Sequence, residues 1–210
     1  MSEKMNRSIF GLAYVLILWL CTTYSLLTFQ ILFAIIGIIS LYEIYRLRRN
    51  KSKLMPIILV LIPFIIIQMF NLQNNSNETY NPSIILFMFL LVWSFDSFAY
   101  IVGINFGKNK IMPSISPKKS WEGFFGGFIC TMMLSQIFAN YLNISELNIM
   151  LTSALVPLSA SLGDFIISYY KRIAKVKDSG KLIPGHGGIL DRMDAFLLTI
   201  PVFYILINLI

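Results

Sequence analysis

Charge is scarce in this chain. Only 13% of its 210 residues are Asp, Glu, Lys or Arg, against roughly a quarter in a soluble domain, and the shortfall excludes an ordinary water-soluble fold. The two cysteines, Cys21 and Cys130, each fall midway along an apolar run, so they read as packing residues and not as a disulfide or thiolate metal site. Histidine occurs once, at His186, which leaves no Cys/His ligand cluster. No internal repeat is visible, which weakens a transporter built from inverted halves. The net charge of +7 raises the question of nucleic acid, but no basic, aromatic-interleaved domain stands outside the apolar segments, and a nucleic-acid partner is set aside. What remains is abundant apolar material: 57% hydrophobic residues and a mean hydropathy of +0.73, the composition of the membrane class.

A helix needs about 20 apolar residues to cross roughly 30 Å of hydrocarbon. That rule predicts an all-α, polytopic transmembrane bundle of about seven spans: Ile9–Leu27, Phe29–Tyr45, Leu54–Phe70, Ser83–Ile104, Trp121–Tyr141, Ile149–Ile167 and Ala195–Ile210. Six spans is the alternative if the first pair is a re-entrant hairpin, because Thr22 to Gln30 must hold a tight turn. The connecting segments Asn71–Pro82 and Asn143–Asn148 contain no Lys or Arg, and all 17 basic residues fall on the opposite side of the seven-span arrangement. Basic loops stay in the cytoplasm, so the expected topology has the N-terminus inside, the C-terminus outside and the polar loops cytoplasmic in a cell (inner) membrane. Ile9–Leu27 reads as a signal anchor and not as a cleaved leader, since it is long and another span follows at once. Residues 1–82 form an N-terminal helical region of about three spans, and 83–210 carry the chemistry.

Asp96 lies about eight residues inside the fourth span, and a charge there needs a partner or an aqueous cavity. Asp96, Tyr100, Gly103 and Gly107 recur at spacings of 4, 3 and 4, one helical face that suits either a cavity wall or close helix packing. Asp164, Ser168 and Lys171 form a second stripe, and Asp191 and Asp194 a third at i, i+3. Three carboxylates converging at one surface repel unless a cation sits among them. Hard oxygen donors point to Mg²⁺, with Mn²⁺ as a substitute and two ions as an option; salt bridges to Lys171, Arg172 and Arg192 are the competing reading. In Pro184–Gly188, successive backbone N–H groups suit an anion nest, and His186 suits a phosphate contact, proton donation or a plain structural hydrogen bond. Lys118, Lys119 and Ser120, just before a helix starting near Trp121, suit a phosphate site. Arg46–Lys53 reads as a topology determinant near anionic headgroups.

The stretch from Ser168 to Asp194 resembles the signature of the phosphatidate cytidylyltransferase family. Ser168, Lys171, Arg172, Lys177, Asp178, Gly180, Pro184, His186, Gly187, Gly188, Asp191, Arg192 and Asp194 stand at the family's spacings. Two weaker motifs accompany it, DSFAYIVGINFGK from Asp96 and SPKKSWEGFFGG from Ser116. Ile167 departs from the family's frequent Glu at that position, and Tyr170 and Ser120 are milder departures. The resemblance implies a membrane nucleotidyltransferase that makes CDP-diacylglycerol and pyrophosphate from CTP and phosphatidate in phospholipid synthesis, with a homodimer as the family expectation. On that reading Asp164, Asp191 and Asp194 hold metal, and Lys171, Arg172 and His186 join them in catalysis. Asp96, Tyr100, Lys118, Lys119, Ser120, Ser168, Lys177, Asp178, Gly187, Gly188 and Arg192 bind substrate. The alternatives are another CTP-using lipid enzyme, such as a polyprenol kinase or an archaeal CDP-lipid synthase, and an ion-coupled carrier.

Overall fold

The computed structural model describes residues 3–48, 51–70, 80–142, 146–182 and 187–209. They form seven helices and one small hairpin, in the order α1 (Glu3–Tyr24), α2 (Leu26–Leu47), α3 (Leu54–Met69), α4 (Ser83–Phe106), β1 (Lys110–Met112), β2 (Ser116–Ser120), α5 (Trp121–Leu142), α6 (Glu146–Ile173) and α7 (Leu190–Leu209). The seven apolar runs thus each become a helix. Among the described residues, three helices are long and apolar enough to cross a membrane: Leu26–Leu47, Ser83–Phe106 and Leu147–Ile173. Large apolar side chains such as Leu12, Ile38, Met55, Ile104, Met133 and Ile205 face outward, an exterior that lipid solvates and water does not. The chain is built as a membrane protein.

The predicted tight turn between the first two helices is a single residue. Ser25 takes an extended conformation, its hydroxyl accepts from the Thr28 N–H, and the Thr28 hydroxyl accepts from the Ser25 N–H. This reciprocal capping box satisfies donors at the helix start. α2, α4 and α7 meet in an aromatic core: Phe33 stacks on Phe89 at 6.0 Å and Phe89 meets Phe196 edge-on at 5.6 Å.

Two features go beyond the seven apolar runs read from the sequence. First, residues before α5 form an antiparallel hairpin, with Lys110 opposite Ser120 and Met112 opposite Ser116. A strand sends successive side chains to opposite faces, so Lys118 is exposed while Lys119 turns inward. Second, α6 runs six residues beyond the apolar run that ended at Ile167, and α7 begins five residues before Ala195. The signature residues Ser168, Lys171 and Arg172 are therefore helical, as are Asp191 and Asp194, on the helical stripes expected from their spacing. Hydropathy misses such turns because the helix continues past its apolar stretch.

α6 crosses α7 closely at Gly163, where a Cβ would collide with the Asp194 carbonyl oxygen. Backbone cannot yield as a flexible side chain does. Gly163→Ala is expected to lower the melting temperature of the purified protein and its activity together, and an unchanged melting curve would contradict this crossing.

Candidate active site

The polar side chains gather at the end of the bundle where α6 finishes and α7 begins. Lys171, almost fully buried, places its Nζ 2.8 Å from Asp191 Oδ1 and 4.0 Å from Asp194 Oδ2. Asp164 lies about two turns earlier on the same face of α6, paired with Lys119 from β2 and accepting from the Ser168 hydroxyl at 3.1 Å. The Asp164 and Asp194 carboxyl groups are within hydrogen-bonding reach of each other, and the Lys171 charge acts on all three aspartates. The structure therefore brings the three predicted carboxylates together, from positions thirty residues apart in the chain. The Lys171 ammonium stands among them, the cation their mutual repulsion demands.

The three are not equivalent. Both Asp191 oxygens are engaged: Oδ1 by Lys171, and Oδ2 by the Ser179 N–H at 2.8 Å, the Ser179 hydroxyl at 3.0 Å and the Gly188 N–H at 2.9 Å. Asp164 and Asp194 are less encumbered, with side chains 21% and 15% exposed against 5% for Asp191. Among the described residues, no group of three His, Cys, Asp or Glu side chains is arranged to hold a metal ion. A pair of carboxylates remains, and Mg²⁺ is commonly held by one or two carboxylates completed by substrate phosphates. The Asp164–Asp194 pair fits that donor set, and Asp191 does not.

Beside this cluster lies a cavity of about 610 Å³ between α4, α5 and the hairpin. Asp96, Tyr100, Gly103 and Gly107 all line it, so the face read from the sequence is a cavity wall. Lys118, Lys119 and Ser120 line it from the hairpin, and Phe95, Ile104, Ile111 and Phe124 supply apolar surface. The charges of Lys119, Asp164 and Arg192 act on Asp96. The cavity is amphiphilic, lined by the Asp96 carboxylate and the ammonium groups of Lys110, Lys118 and Lys119 together with apolar side chains.

Other predicted residues have different tasks. Ser120 accepts from the Gly123 N–H at 3.2 Å, so its hydroxyl caps α5. Arg172 donates to the carbonyls of Ile115 at 3.1 Å and Val176 at 3.2 Å, which ties the hairpin to the end of α6 and turns the guanidinium from the carboxylates. Gly187 has φ +86°, a backbone setting that favours glycine. The Gly188 N–H is bonded to Asp191, so this donor holds the loop to the start of α7. Lys177 and Asp178 are exposed. Ile167, in place of the expected Glu, is fully buried and packs in the core. Pro184, Gly185 and His186 lie outside the described residues.

Glu43 was not among the predicted site residues. From the end of α2 it accepts from the Ser179 hydroxyl at 2.7 Å, the Ile189 N–H at 3.2 Å and the Leu190 N–H at 2.9 Å. It caps α7 with a negative charge at the positive helix end and shares Ser179 with Asp191. A Cβ on Gly188 would strike Glu43. The signal was present, since Glu43 is the only acidic residue in α2 and a carboxylate on so apolar a helix must find a partner.

An apolar helical bundle with carboxylates among lysines at one end and an amphiphilic cavity beside them is the architecture of a membrane protein with a polar pocket. Residues 53–210 match the cytidylyltransferase family. The chain is 35% identical over 198 residues to the phosphatidate cytidylyltransferase of Rickettsia bellii, covering 90% of this chain and 82% of that one. It is 34% identical over 213 residues to that of Rickettsia prowazekii, covering 96% and 92%. With the Haemophilus influenzae enzyme it shares 40% identity over 166 residues, or 73% of this chain and 57% of that protein. The chain belongs to the phosphatidate cytidylyltransferase family.

Proposed function

We propose that this protein condenses CTP with phosphatidate to form CDP-diacylglycerol and pyrophosphate. The observation that carries the reading is the Asp164–Asp194 pair flanked by Lys119 and Lys171, with Lys119 also lining the amphiphilic cavity. The nucleophile is a phosphate monoester whose second pKa is about 6, so it is largely ionised near neutral pH and needs no strong base. Its oxygen attacks the α-phosphorus of CTP; the new P–O bond forms as the bond to the β-phosphate bridging oxygen breaks, and pyrophosphate leaves with the electron pair. The chemical problem is to hold two polyanions together and stabilise charge moving to the leaving group.

The lipid headgroup would enter the cavity lined by Asp96 and Tyr100, with its acyl chains against the apolar wall and out between helices. Lys119 would neutralise its phosphate, exchanging its Asp164 partner for substrate, with Lys118 at the exposed rim of the cavity. Asp164 and Asp194 would hold a divalent cation such as Mg²⁺, which when bound neutralises phosphate oxygens as a Lewis acid. Lys171 orients Asp194 from one side and Asp191 from the other. The one-sided distribution of basic residues supports placing this end of the bundle in the cytoplasm, where CTP is available.

Purified protein in detergent, given CTP, phosphatidate and Mg²⁺, is expected to release one pyrophosphate per lipid product. A lipid kinase would yield CDP and a phosphorylated lipid without pyrophosphate; a carrier would move solute in liposomes without consuming CTP. Either result would overturn the reading.

A further inference from the structure

Lys119 carries the charge of the hairpin to the carboxylate cluster, where it pairs with Asp164. The ladder of the hairpin does not fix that direction by itself. Lys110 faces Ser120 and Met112 faces Ser116, so Ile111 alone in β1 stands opposite Pro117, Lys118 and Lys119 in β2. The surplus is a bulge, which leaves residues outside the ladder and re-aims their side chains. Pro117 also has no N–H to contribute. Lys119 therefore stands in an unpaired stretch, and groups outside the two strands must hold it.

Resting on the reaction above, we propose that Glu122 is a positioning residue for Lys119. Glu122 lies in the first turn of α5 and clamps the base of the hairpin. Its Oε2 accepts from the Lys108 N–H at 3.1 Å and the Asn109 N–H at 3.2 Å. Its Oε1 accepts from the Asn109 N–H at 3.1 Å and the Asn109 Nδ2 amide at 2.8 Å. The Trp121 N–H closes the same base by donating to the Asn109 carbonyl at 2.9 Å. The chain entering β1 and the chain leaving β2 are thus locked together. At the far end, Arg172 holds the Ile115 carbonyl at 3.1 Å. The bulge is stretched between two fixed points, one of them on the helix that carries Asp164.

Four lysines lie on or beside the hairpin, at 108, 110, 118 and 119, yet Glu122 forms no ion pair among the described residues. Its bonds to the hairpin all run to N–H groups of Lys108 and Asn109, so it serves geometry and not charge neutralisation. A carboxylate suits the task because each oxygen accepts more than one N–H, and negative charge is favoured at a helix N-terminus. Alanine at 122 would leave those N–H groups to water and release one end of the bulge. Lys119 would then sample positions away from Asp164 and from the lipid phosphate. A displacement of about 1 Å at a positioned group can cost about 10²-fold in rate.

The test uses the full chain in detergent, reading pyrophosphate release and backbone amide exchange. Glu122→Ala is expected to lower kcat/KM for phosphatidate at least about 10-fold, with the KM for CTP and the melting curve near the parent's. Glu122→Gln keeps an acceptor oxygen and should regain most of the loss. With Lys119→Ala already in place, Glu122→Ala should cost little more, because both changes act through one ammonium. Losses that multiply instead would make Glu122 a support of the fold alone and overturn the proposal. Amide exchange should quicken across residues 108–121 in Glu122→Ala and stay parental in α6 and α7; unchanged exchange in the hairpin overturns the proposal too. Should Glu122→Ala lose its melting transition, Glu122→Gln carries the same cycle at smaller amplitude. A parent that releases no pyrophosphate sinks only the proposed reaction. The clamp is then read from acylation by acetic anhydride, which should rise at Lys119 in Glu122→Ala and stay constant at Lys53; no rise at Lys119 sinks the clamp.

Discussion

Asp194→Asn is expected to reduce pyrophosphate release by at least about 10²-fold, the scale of losing one electrostatic stabiliser of a transition state, with the melting curve close to the parent's. The same holds for Asp164→Asn. Neither carboxylate is enclosed by donors: Asp164 has Lys119 and Ser168, and Asp194 has the Ala195 N–H at 2.9 Å and a distant Lys171. Asp191→Ala behaves differently. It leaves the buried Lys171 without its 2.8 Å partner and strips the Ser179 and Gly188 N–H groups of their acceptor. Breaking a buried pair from one side costs about 3–5 kcal/mol, so this variant should lose melting temperature and activity together. Calorimetric melting beside the pyrophosphate assay separates the two classes. If Asp191→Ala melts like the parent, or Asp194→Asn retains full turnover, the division of the aspartates is wrong.

Glu43→Ala is expected to have the second largest effect, although Glu43 lies outside the signature. It removes the acceptor from the Ile189 and Leu190 N–H groups at the start of α7 and from the Ser179 hydroxyl. Hydrogen bonds to a charged group contribute about 1.5–3 kcal/mol, and a loss of that size moves the midpoint of a chain this long by about 5–10 °C. Because Ser179 also holds Asp191, the loop should loosen on both sides, with turnover falling as well. Glu43→Gln retains an acceptor oxygen and should recover part of both losses. A Glu43→Ala protein with parental stability and turnover would show that α2 does not hold the loop.

Much of this was legible in the sequence, for identifiable reasons. Long apolar runs mark helices because every backbone polar group in a bilayer must be satisfied within the segment, and each of the seven runs became a helix. The Asp96 face was readable because positions 3 and 4 apart share one side of a helix. The convergence of Asp164, Asp191 and Asp194 followed from scarce charge needing company. What escaped was contact between distant segments. No local signal states that Lys119 reaches Asp164 while Lys118 turns out, because that depends on a five-residue strand too short for its alternation to stand out. The roles of Arg172 and Gly188 were hidden for a related reason: their donors meet backbone and carboxylate partners that only the fold brings near. Glu43 was visible as an isolated acid, but its partners lie more than 130 residues on.

The contact of Gly163 with the Asp194 carbonyl has one more implication. Asp164 is the next residue along α6, so the spacing of the two acidic groups is dictated by how two rigid rods touch, with no hinge or loop between that contact and either side chain. Altered substrate preference in this scaffold should therefore arise from changes in the hairpin, while the distance between these two acids stays a fixed dimension.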